Sequence, residues 1–332
     1  MVPHRPGSAS DRAATPSGDP GDTPRVRPRN LAIGLIAIAV VVSISAILIR
    51  TNSFGADRDH VAPAASVPPP PAFGHVWVIV IENKPLSTII GSADAPYLNQ
   101  LIGSSGLATD YRAVAHPSQP NYVALFSGST QRVADNEPHD IDALNLADQL
   151  EAAGRTWHVY AENVPTDCAR DATARDGADG PGTYARKHEP AISFVSISGN
   201  PARCARIGPL AGFDPIAADF SLIIPNLCHA MHDCGVPEGD AWLRSFVPRI
   251  LESPAWRDQG ALFITFDEGV DSSTPPNLVA TIVSSPLVRP GMTSAVPHTH
   301  YSLLRTIQDG FGLPCLEDSC SANTLGEFFT SP

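Results

Sequence analysis

The sequence lacks the short motifs that mark several large enzyme classes. It contains no G-x-S-x-G nucleophile elbow, no phosphate-binding P-loop, no G-x-G-x-x-G fingerprint and no H-E-x-x-H zinc motif. A Ser-His-Asp esterase remains the competing interpretation for a serine hydrolase, but the missing elbow disfavours it. The six cysteines form no C-x-x-C pair, which argues against a zinc or redox motif of that kind.

Basic residues are also scarce. Lys and Arg number 22 against 34 Asp and Glu, and the formal net charge is −12. Residues 1–30 carry five Arg and three Asp, about +2, so the rest of the chain is near −14. This balance disfavours nucleic acid and anionic membrane surfaces as partners of the remaining chain, so no nucleic-acid partner is expected. An enzyme of this charge that acts on anionic substrates needs local positive charge, from a metal or from a few bases.

One long apolar run is present, and it predicts a membrane anchor. Residues 31–49 are nineteen uncharged residues that span about 30 Å as a helix, which is the thickness of a bilayer core. Arginines are concentrated on its N-terminal side, so the positive-inside rule predicts that the chain after Arg50 lies outside the cytoplasm. A cleaved signal peptide with secretion is the alternative. Its apolar region is normally shorter and followed promptly by a cleavage site of small residues, whereas Arg50 follows here.

The flanking composition predicts the domain organisation. Residues 1–30 are rich in Pro, Arg, Ser and Gly and are expected to form a disordered cytoplasmic tail. Residues 50–72 end in a proline-rich spacer, and residues 73–332 form one extracytoplasmic domain. All six cysteines lie in that domain, where they are free to oxidise. Fifteen pairings are possible, and proximity in the sequence favours Cys228–Cys234, Cys315–Cys320 and, by elimination, Cys168–Cys204.

Apolar runs typical of buried strands alternate with helical patterns through the domain. This alternation predicts an α/β fold with a doubly wound, mostly parallel sheet and helices on both faces. The predicted strands are Val76–Ile81, Trp157–Tyr160, Phe220–Ile224, Ala261–Phe266 and Val279–Val283. The predicted helices are Ala95–Ile102, Asn121–Phe126, Ala143–Ala153, Ala241–Leu251 and Tyr301–Phe311, and residues 167–181 are expected to form a loop.

Polar residues follow these strands at the sheet edge where ligands of such folds bind. Glu82 and Asn83 follow the first strand, and Asp267 and Glu268 follow the fourth. Three carboxylates at one edge repel one another unless a proton is shared or a cation lies between them. Hard oxygen ligands suit a divalent ion, so these four residues predict a site for one divalent metal ion.

Ser118 lies between two prolines just before a predicted helix. Proline restricts the backbone, so the chain is expected to stay non-helical until about Asn121, with Ser118 facing the anion-attracting N–H groups of the helix start. An ordinary helix-capping turn is the alternative for this serine taken alone. Together with the carboxylates and the late histidines His232 and His300, it fits phosphoryl transfer, with serine as nucleophile and histidine as proton donor.

Seven segments in order then resemble a known family. The chain is similar to the bacterial phosphoesterase family of acid phosphatases and phospholipases C in the alkaline phosphatase superfamily, and in particular to mycobacterial secreted acid phosphatases. The segments are ENKPLSTIIG, HPSQPNYVALFSG, TYARKHEP, SLIIPNLCHAMHDC, GDAWL, FITFDEG and HYSLLRTIQDGFGLP, between residues 82 and 314.

The resemblance implies roles for particular residues. Ser118 matches the phosphorylated nucleophile, and Asn121 matches an asparagine that helps to hold the phosphate oxygens. His232 and His300 match positions that contact phosphate and supply the proton, while Lys187 and His188 add positive charge for substrate binding. The metal-side positions are Glu82, Asn83, Asp267 and Glu268.

One departure from the family pattern affects the functional prediction. Relatives usually read D-M-H-D where this chain has Ala230-Met231-His232-Asp233, so a carboxylate is missing beside His232. The resemblance implies a membrane-anchored phosphoric-ester hydrolase, most readily an acid phosphomonoesterase acting on a small phosphorylated substrate. The alternatives are a phospholipase C or other phosphodiesterase acting on phospholipid, and a degenerate, non-catalytic phosphate-binding protein.

Overall fold

The computed structural model describes residues 67–170, 173–175, 182–269 and 277–330. The chain divides into two units, residues 1–60 and 61–332, and every described residue belongs to the second. The predicted tail and the predicted anchor at residues 31–49 therefore lie outside the described residues. Within the described part, no helix has both the length and the apolar character needed to cross a bilayer.

The centre of the described unit is an eight-stranded sheet. Its strand order is β11-β2-β10-β9-β1-β8-β4-β7, and only β10 runs antiparallel to its neighbours. Two two-stranded sheets pair β12 with β3 and β5 with β6. The strands are β1 (His75–Ile81), β2 (Gly106–Ala108), β3 (Tyr111–Arg112), β4 (Trp157–Ala161), β5 (Thr173–Arg175), β6 (Thr183–Ala185), β7 (Ile207–Pro209), β8 (Phe220–Ile224), β9 (Gly260–Phe266), β10 (Thr281–Ser284), β11 (Met292–Ser294) and β12 (His298–Thr299).

The helices follow the strands in alternation over much of the chain. They are α1 (Leu86–Ile89), α2 (Pro96–Ser104), α3 (Ser118–Ser127), α4 (Leu146–Ala152), α5 (Val195–Ser198), α6 (Pro201–Cys204), α7 (Val236–Phe246), α8 (Pro248–Leu251), α9 (Pro254–Arg257) and α10 (His300–Phe311). The prediction of an α/β fold with a mostly parallel central sheet is confirmed.

The central strands form the core because their side chains are apolar on both faces. All seven residues of β9 are buried, and so are the six residues of β1 from Val76 to Ile81. β1 and β9 pair in parallel over their whole length, with Ile81 opposite Phe266. The residues that follow these two strands therefore leave the sheet side by side.

The structure differs from the sequence prediction at the start of α3. The helix begins at Ser118 rather than at Asn121, and Pro117 precedes it in an extended conformation. Pro120 is accommodated because it occupies the first turn, where a backbone N–H has no partner within the helix. Ser118 is thus the first residue of the helix.

Two other predicted elements also differ. α7 begins at Val236 instead of Ala241, because Pro237 fits the first turn, and it ends at Phe246 before Pro248 begins the separate α8. The segment 167–181 is not a loop throughout, since Thr173–Arg175 pairs with β6. Backbone hydrogen bonding to a neighbouring strand overrides the weak local signal there.

The disulfide prediction is confirmed. The three bonds are Cys168–Cys204, Cys228–Cys234 and Cys315–Cys320. At the start of the described unit, the Pro68 carbonyl accepts a hydrogen bond of 3.2 Å from the Thr324 hydroxyl. The end of the predicted linker therefore already contacts the domain.

Candidate active site

Three carboxylates meet at the carboxyl end of the central strands. Glu82 follows β1, and Asp267 and Glu268 follow the adjacent β9. The Asp267 N–H donates to the Ile81 carbonyl, which continues the pairing of the two strands one residue further. All three side chains are buried. The sheet register thus brings together the carboxylates that the sequence placed at two separate strand ends.

Ser118 lies among these carboxylates at the start of α3. Its Oγ lies 3.2 Å from Glu82 Oε2, 3.2 Å from Glu268 Oε1 and 3.4 Å from Asn83 Oδ1. The side chain is buried at 1% exposure. One hydroxyl therefore has two carboxylates within hydrogen-bonding distance, either of which is placed to receive its proton.

Asn121 fixes the loop that carries Ser118. Its Oδ1 accepts from the N–H groups of Val114 and Ala115, both at 3.0 Å. Its Nδ2 donates to the carbonyls of Ala115 and Pro117, at 3.0 and 3.2 Å. The amide is occupied by the backbone of this loop, so in this arrangement Asn121 positions the serine. Its direct contact with phosphate stays a prediction.

Burial shifts the acidity of the carboxylates. Burial first, and then the charge of Asp267, raises the pKa of Glu82 well above its usual range. Burial and the charge of Glu268 raise the pKa of Asp267 to about 7, and burial raises the pKa of Glu268 to about 7. Three buried acids so close together favour a shared proton or a bound cation.

The orientation of the Asn83 amide matters for whether the carboxylates share a proton or hold a cation. One polar atom of this amide lies 2.9 Å from Glu82 Oε2 and 3.2 Å from Asp267 Oδ1. As nitrogen it donates to both carboxylates, and as oxygen it joins them as a third ligand around a cation. No group of three or more His, Cys, Asp or Glu side chains in the described residues has the geometry of a formed metal centre. The donor chemistry of Glu82, Asn83, Asp267 and Glu268 nevertheless fits a hard divalent ion.

Basic side chains lie beside the carboxylate cluster. Lys187 Nζ is 3.4 Å from His232 Nε2, and its positive charge partly offsets the rise that burial causes in the pKa of Glu82 and Glu268. His188 Nε2 approaches Glu82 Oε2 to 3.2 Å without hydrogen-bonding geometry. Burial, and then the charges of Lys187 and His232, lower the pKa of His188 well below its usual value, so its imidazole is neutral.

His232 has a carboxylate partner although position 230 is an alanine. His232 Nδ1 lies 2.7 Å from Asp233 Oδ1, so the adjacent residue orients the imidazole and leaves Nε2 directed toward Lys187. Ala230 is buried, and its carbonyl accepts a hydrogen bond of 2.8 Å from the Glu82 N–H. The backbone at this position therefore supports the carboxylate cluster without a side-chain acid.

His300 lies behind the carboxylates. Its Nε2 donates to the Asp267 carbonyl at 2.7 Å, and its Nδ1 lies 3.1 Å from the Tyr111 hydroxyl. Since a carbonyl only accepts, the proton of the neutral ring is on Nε2. Burial lowers the pKa of His300 to about 4. In this arrangement it holds the backbone of Asp267, and its role as proton donor stays a prediction.

Two residues outside the predicted set of site residues also contact the cluster. The Tyr122 hydroxyl donates to Glu82 Oε1, and His116 Nδ1 pairs with Glu268 Oε2. Tyr122 also stacks on His188, with ring centroids 5.2 Å apart. The spacing contains a signal for the tyrosine, because Ser118 and Tyr122 are four residues apart on one helix and so share a face.

Known proteins with similar sequences are phosphatases. The chain is 33% identical over 246 residues to a phosphatidylinositol-3-phosphatase of Mycobacterium tuberculosis, covering 74% of this chain and 79% of that protein. It is 29% identical over 238 residues to a phosphate-repressible acid phosphatase of Penicillium chrysogenum, covering 69% of this chain and 57% of the fungal protein.

A solved structure shares the fold. The phosphonate monoester hydrolase of Silicibacter pomeroyi aligns with 78% of this chain and 77% of its own, with a TM-score of 0.54 and 13% sequence identity. A sequence profile described as the phosphoesterase family matches residues 90–314. The resemblance drawn from the seven sequence segments is thereby confirmed, and the chain belongs to the phosphoesterase family of phosphoric-ester hydrolases.

Proposed function

We propose that this protein is an acid phosphomonoesterase that works through a covalent phosphoserine at Ser118. The observation that carries the proposal is the position of Ser118 Oγ, which lies 3.2 Å from an oxygen of each of two carboxylates. The serine also begins a ten-residue helix, and the positive end of the helix dipole favours an anion there. The names of the curated relatives support a monoester substrate and an acid phosphatase activity.

The first step transfers the phosphoryl group to the serine. Ser118 Oγ attacks phosphorus while Glu268 or Glu82 takes its proton, and the bond from phosphorus to the leaving oxygen breaks with its electron pair on that oxygen. His232 Nε2 donates a proton to the departing alcohol, with Asp233 holding the opposite ring nitrogen. Lys187 lies beside His232 and offsets the charge of the phosphate.

The second step releases phosphate. Water attacks phosphorus of the phosphoserine, its proton passes to His232, and the Ser118 oxygen leaves and recovers the proton from the carboxylate. Glu82, Asn83, Asp267 and Glu268 would hold a divalent ion, which would neutralise phosphate charge and acidify the serine hydroxyl. His188 and Tyr122 keep Glu82 in place, since both rings contact it in the buried site.

Ser118→Ala tests the nucleophile. The variant removes the attacking oxygen and leaves the apolar packing of α3 intact, so turnover of p-nitrophenyl phosphate is expected to fall by at least about 1,000-fold with an unchanged circular dichroism spectrum. Ser104→Ala, an exposed serine on α2, is the matched control and retains full activity. Wild-type enzyme that is denatured during turnover should carry a phosphate group on Ser118. Undiminished turnover in Ser118→Ala contradicts the assignment.

Removal of divalent ions tests the metal. Dialysis against a strong chelator is expected to abolish turnover, and titration with Mg²⁺, Ca²⁺, Mn²⁺ or Zn²⁺ should restore it with one of them. Glu82→Gln and Asp267→Asn should weaken the affinity for the restoring ion, since each loses a ligand charge. Full activity of protein shown by elemental analysis to be metal-free refutes this part of the proposal.

The substrate class needs a separate comparison. The relative from Mycobacterium tuberculosis is named a phosphatidylinositol-3-phosphatase, so a phosphorylated lipid headgroup is one proposed substrate beside small soluble monoesters. Initial rates on p-nitrophenyl phosphate and bis-p-nitrophenyl phosphate should favour the monoester. A faster rate on the diester would favour a phosphodiesterase, and no turnover together with retained phosphate binding would favour a non-catalytic protein.

A further inference from the structure

A small cavity is lined in part by the residue that follows Ser118. Its volume is about 220 Å³. Gln119, the residue after Ser118, lines it together with Arg186 and Lys187. Asn136, Glu137 and Pro138 form the exposed rim, while Ala185 and Leu227 complete the wall. Lys187 also lies 3.4 Å from His232 Nε2, so the cavity and the candidate active site share this residue.

Two buried side chains present unpartnered polar atoms there. Arg186 is 6% exposed, and its Nε and Nη1 have no hydrogen-bond partner, whereas its Nη2 donates to the His139 carbonyl at 3.2 Å. Gln119 is 2% exposed, and its Oε1 has no partner. Buried polar groups, charged ones above all, are normally hydrogen-bonded, because an unpaired one loses its hydration without replacement. Both side chains thus lack the partner that a ligand supplies.

No carboxylate in the described part of the chain neutralises Arg186 by direct contact. Glu189 is buried nearby, and its two oxygens accept from the N–H groups of Ala191 and Ile192, at 2.8 and 3.0 Å. Glu137 is at the solvent-exposed rim. The charge balance of the cavity floor, with Arg186 and Lys187 adjacent, is positive.

We propose that this cavity binds a second anionic group carried by the alcohol part of the substrate. The proposal rests on the phosphatase function proposed above, and it makes the preferred substrates phosphate monoesters whose alcohol bears a carboxylate or a further phosphate. Arg186 Nε and Nη1 donate to the anion, and Gln119 Oε1 accepts from a neighbouring hydroxyl of the same alcohol. The volume is sufficient for a group of phosphate size.

A matched pair of esters tests this inference. 2-Phosphoglycerate and glycerol 2-phosphate have the same carbon skeleton and differ by one carboxylate in the alcohol. The wild-type protein is expected to show a kcat/KM ratio of about ten or more in favour of 2-phosphoglycerate, and Arg186→Gln should lower that ratio at least about tenfold. Arg257→Gln, which removes an exposed positive charge on α9, should leave the ratio unchanged.

Glu137→Gln keeps the test decisive if Arg186→Gln fails to fold. Glu137 is exposed, so its replacement preserves folding and removes repulsion of an anion at the rim, and the ratio should rise about two- to threefold. Two further substrate pairs separate the sources of the second anion. These are fructose 1,6-bisphosphate against fructose 6-phosphate, and short-chain phosphatidylinositol 3-phosphate against glycerol 2-phosphate.

The outcomes are distinguishable from failure of the phosphatase proposal. A preference for the second anion that depends on Arg186 or Glu137 in any pair supports the cavity as its binding site. Turnover of glycerol 2-phosphate without any such preference, or with a preference that no variant changes, overturns the inference and leaves the phosphatase function intact. No turnover of any ester overturns both.

Discussion

Tyr122 shows at the scale of a single residue how the site is stabilised. Its ring stacks on His188, and its hydroxyl also donates to Glu82. Periodicity along α3 placed Tyr122 on the face of Ser118, whereas the partner of the hydroxyl lies 40 residues away in sequence. A long-range hydrogen bond leaves no local pattern, so only the folded structure identifies it.

Glu189 predicts a pH dependence of stability. Burial raises its pKa from 4.5 to about 7, so the folded state holds the proton more tightly than the unfolded chain. Its contribution to stability is full below pH 4.5 and is lost as the pH rises through about 7, a fall of about 3 kcal/mol in the free energy of unfolding.

Glu189→Gln removes this titration. The free energies of unfolding of the variant and the wild type are measured by urea denaturation at pH 4.5 and at pH 8. The variant should become more stable relative to the wild type as the pH rises. Glu252→Gln, an exposed acid, is the control and should show no such trend. An unchanged difference across this range would show that the buried Glu189 does not titrate there.

At the scale of elements, two strand ends and one helix start make the site. The sequence predicted β1 and β9 almost to the residue, because continuous apolar runs report burial on both faces. It did not predict that the two strands are neighbours, which is what joins Glu82 to Asp267. The predicted start of α3 was three residues too late. Proline disrupts the interior of a helix, but the first turn tolerates it.

Comparison of the two short disulfide loops tests whether the loop from Cys228 to Cys234 positions His232. Cys228–Cys234 and Cys315–Cys320 close loops with sequence separations of 6 and 5. Replacing either pair with serine should therefore cost a similar unfolding free energy, about 2 kcal/mol. Only the first loop holds His232 and the Ala230 carbonyl that supports Glu82, so only its removal should lower kcat, by about tenfold or more.

Both variants are measured where urea unfolding shows them fully folded. Equal kcat values in the two variants would contradict a positioning role for the loop from Cys228 to Cys234.

At the scale of the whole molecule, we propose that residues 31–49 anchor the chain in the membrane with the enzyme domain outside. The uncharged apolar run and the arginines before it support the anchor, and the three disulfides support an oxidising location for the domain. The full chain with an N-terminal tag, expressed in a bacterial host, should remain in membranes after an alkaline carbonate wash. Loss of the tag from a soluble, active domain would instead indicate a cleaved signal peptide.

The sequence by itself determined the central strands, the disulfide pairing, the family and the residue types of the site, because burial, cysteine spacing and ordered motifs are local or one-dimensional signals. Only the tertiary structure decided which strand ends are adjacent, that Asn121 and His300 engage the backbone, that Asp233 orients His232, and that Arg186 and Gln119 share a cavity. These depend on contacts between distant parts of the chain, whose geometry is set by sheet register and packing.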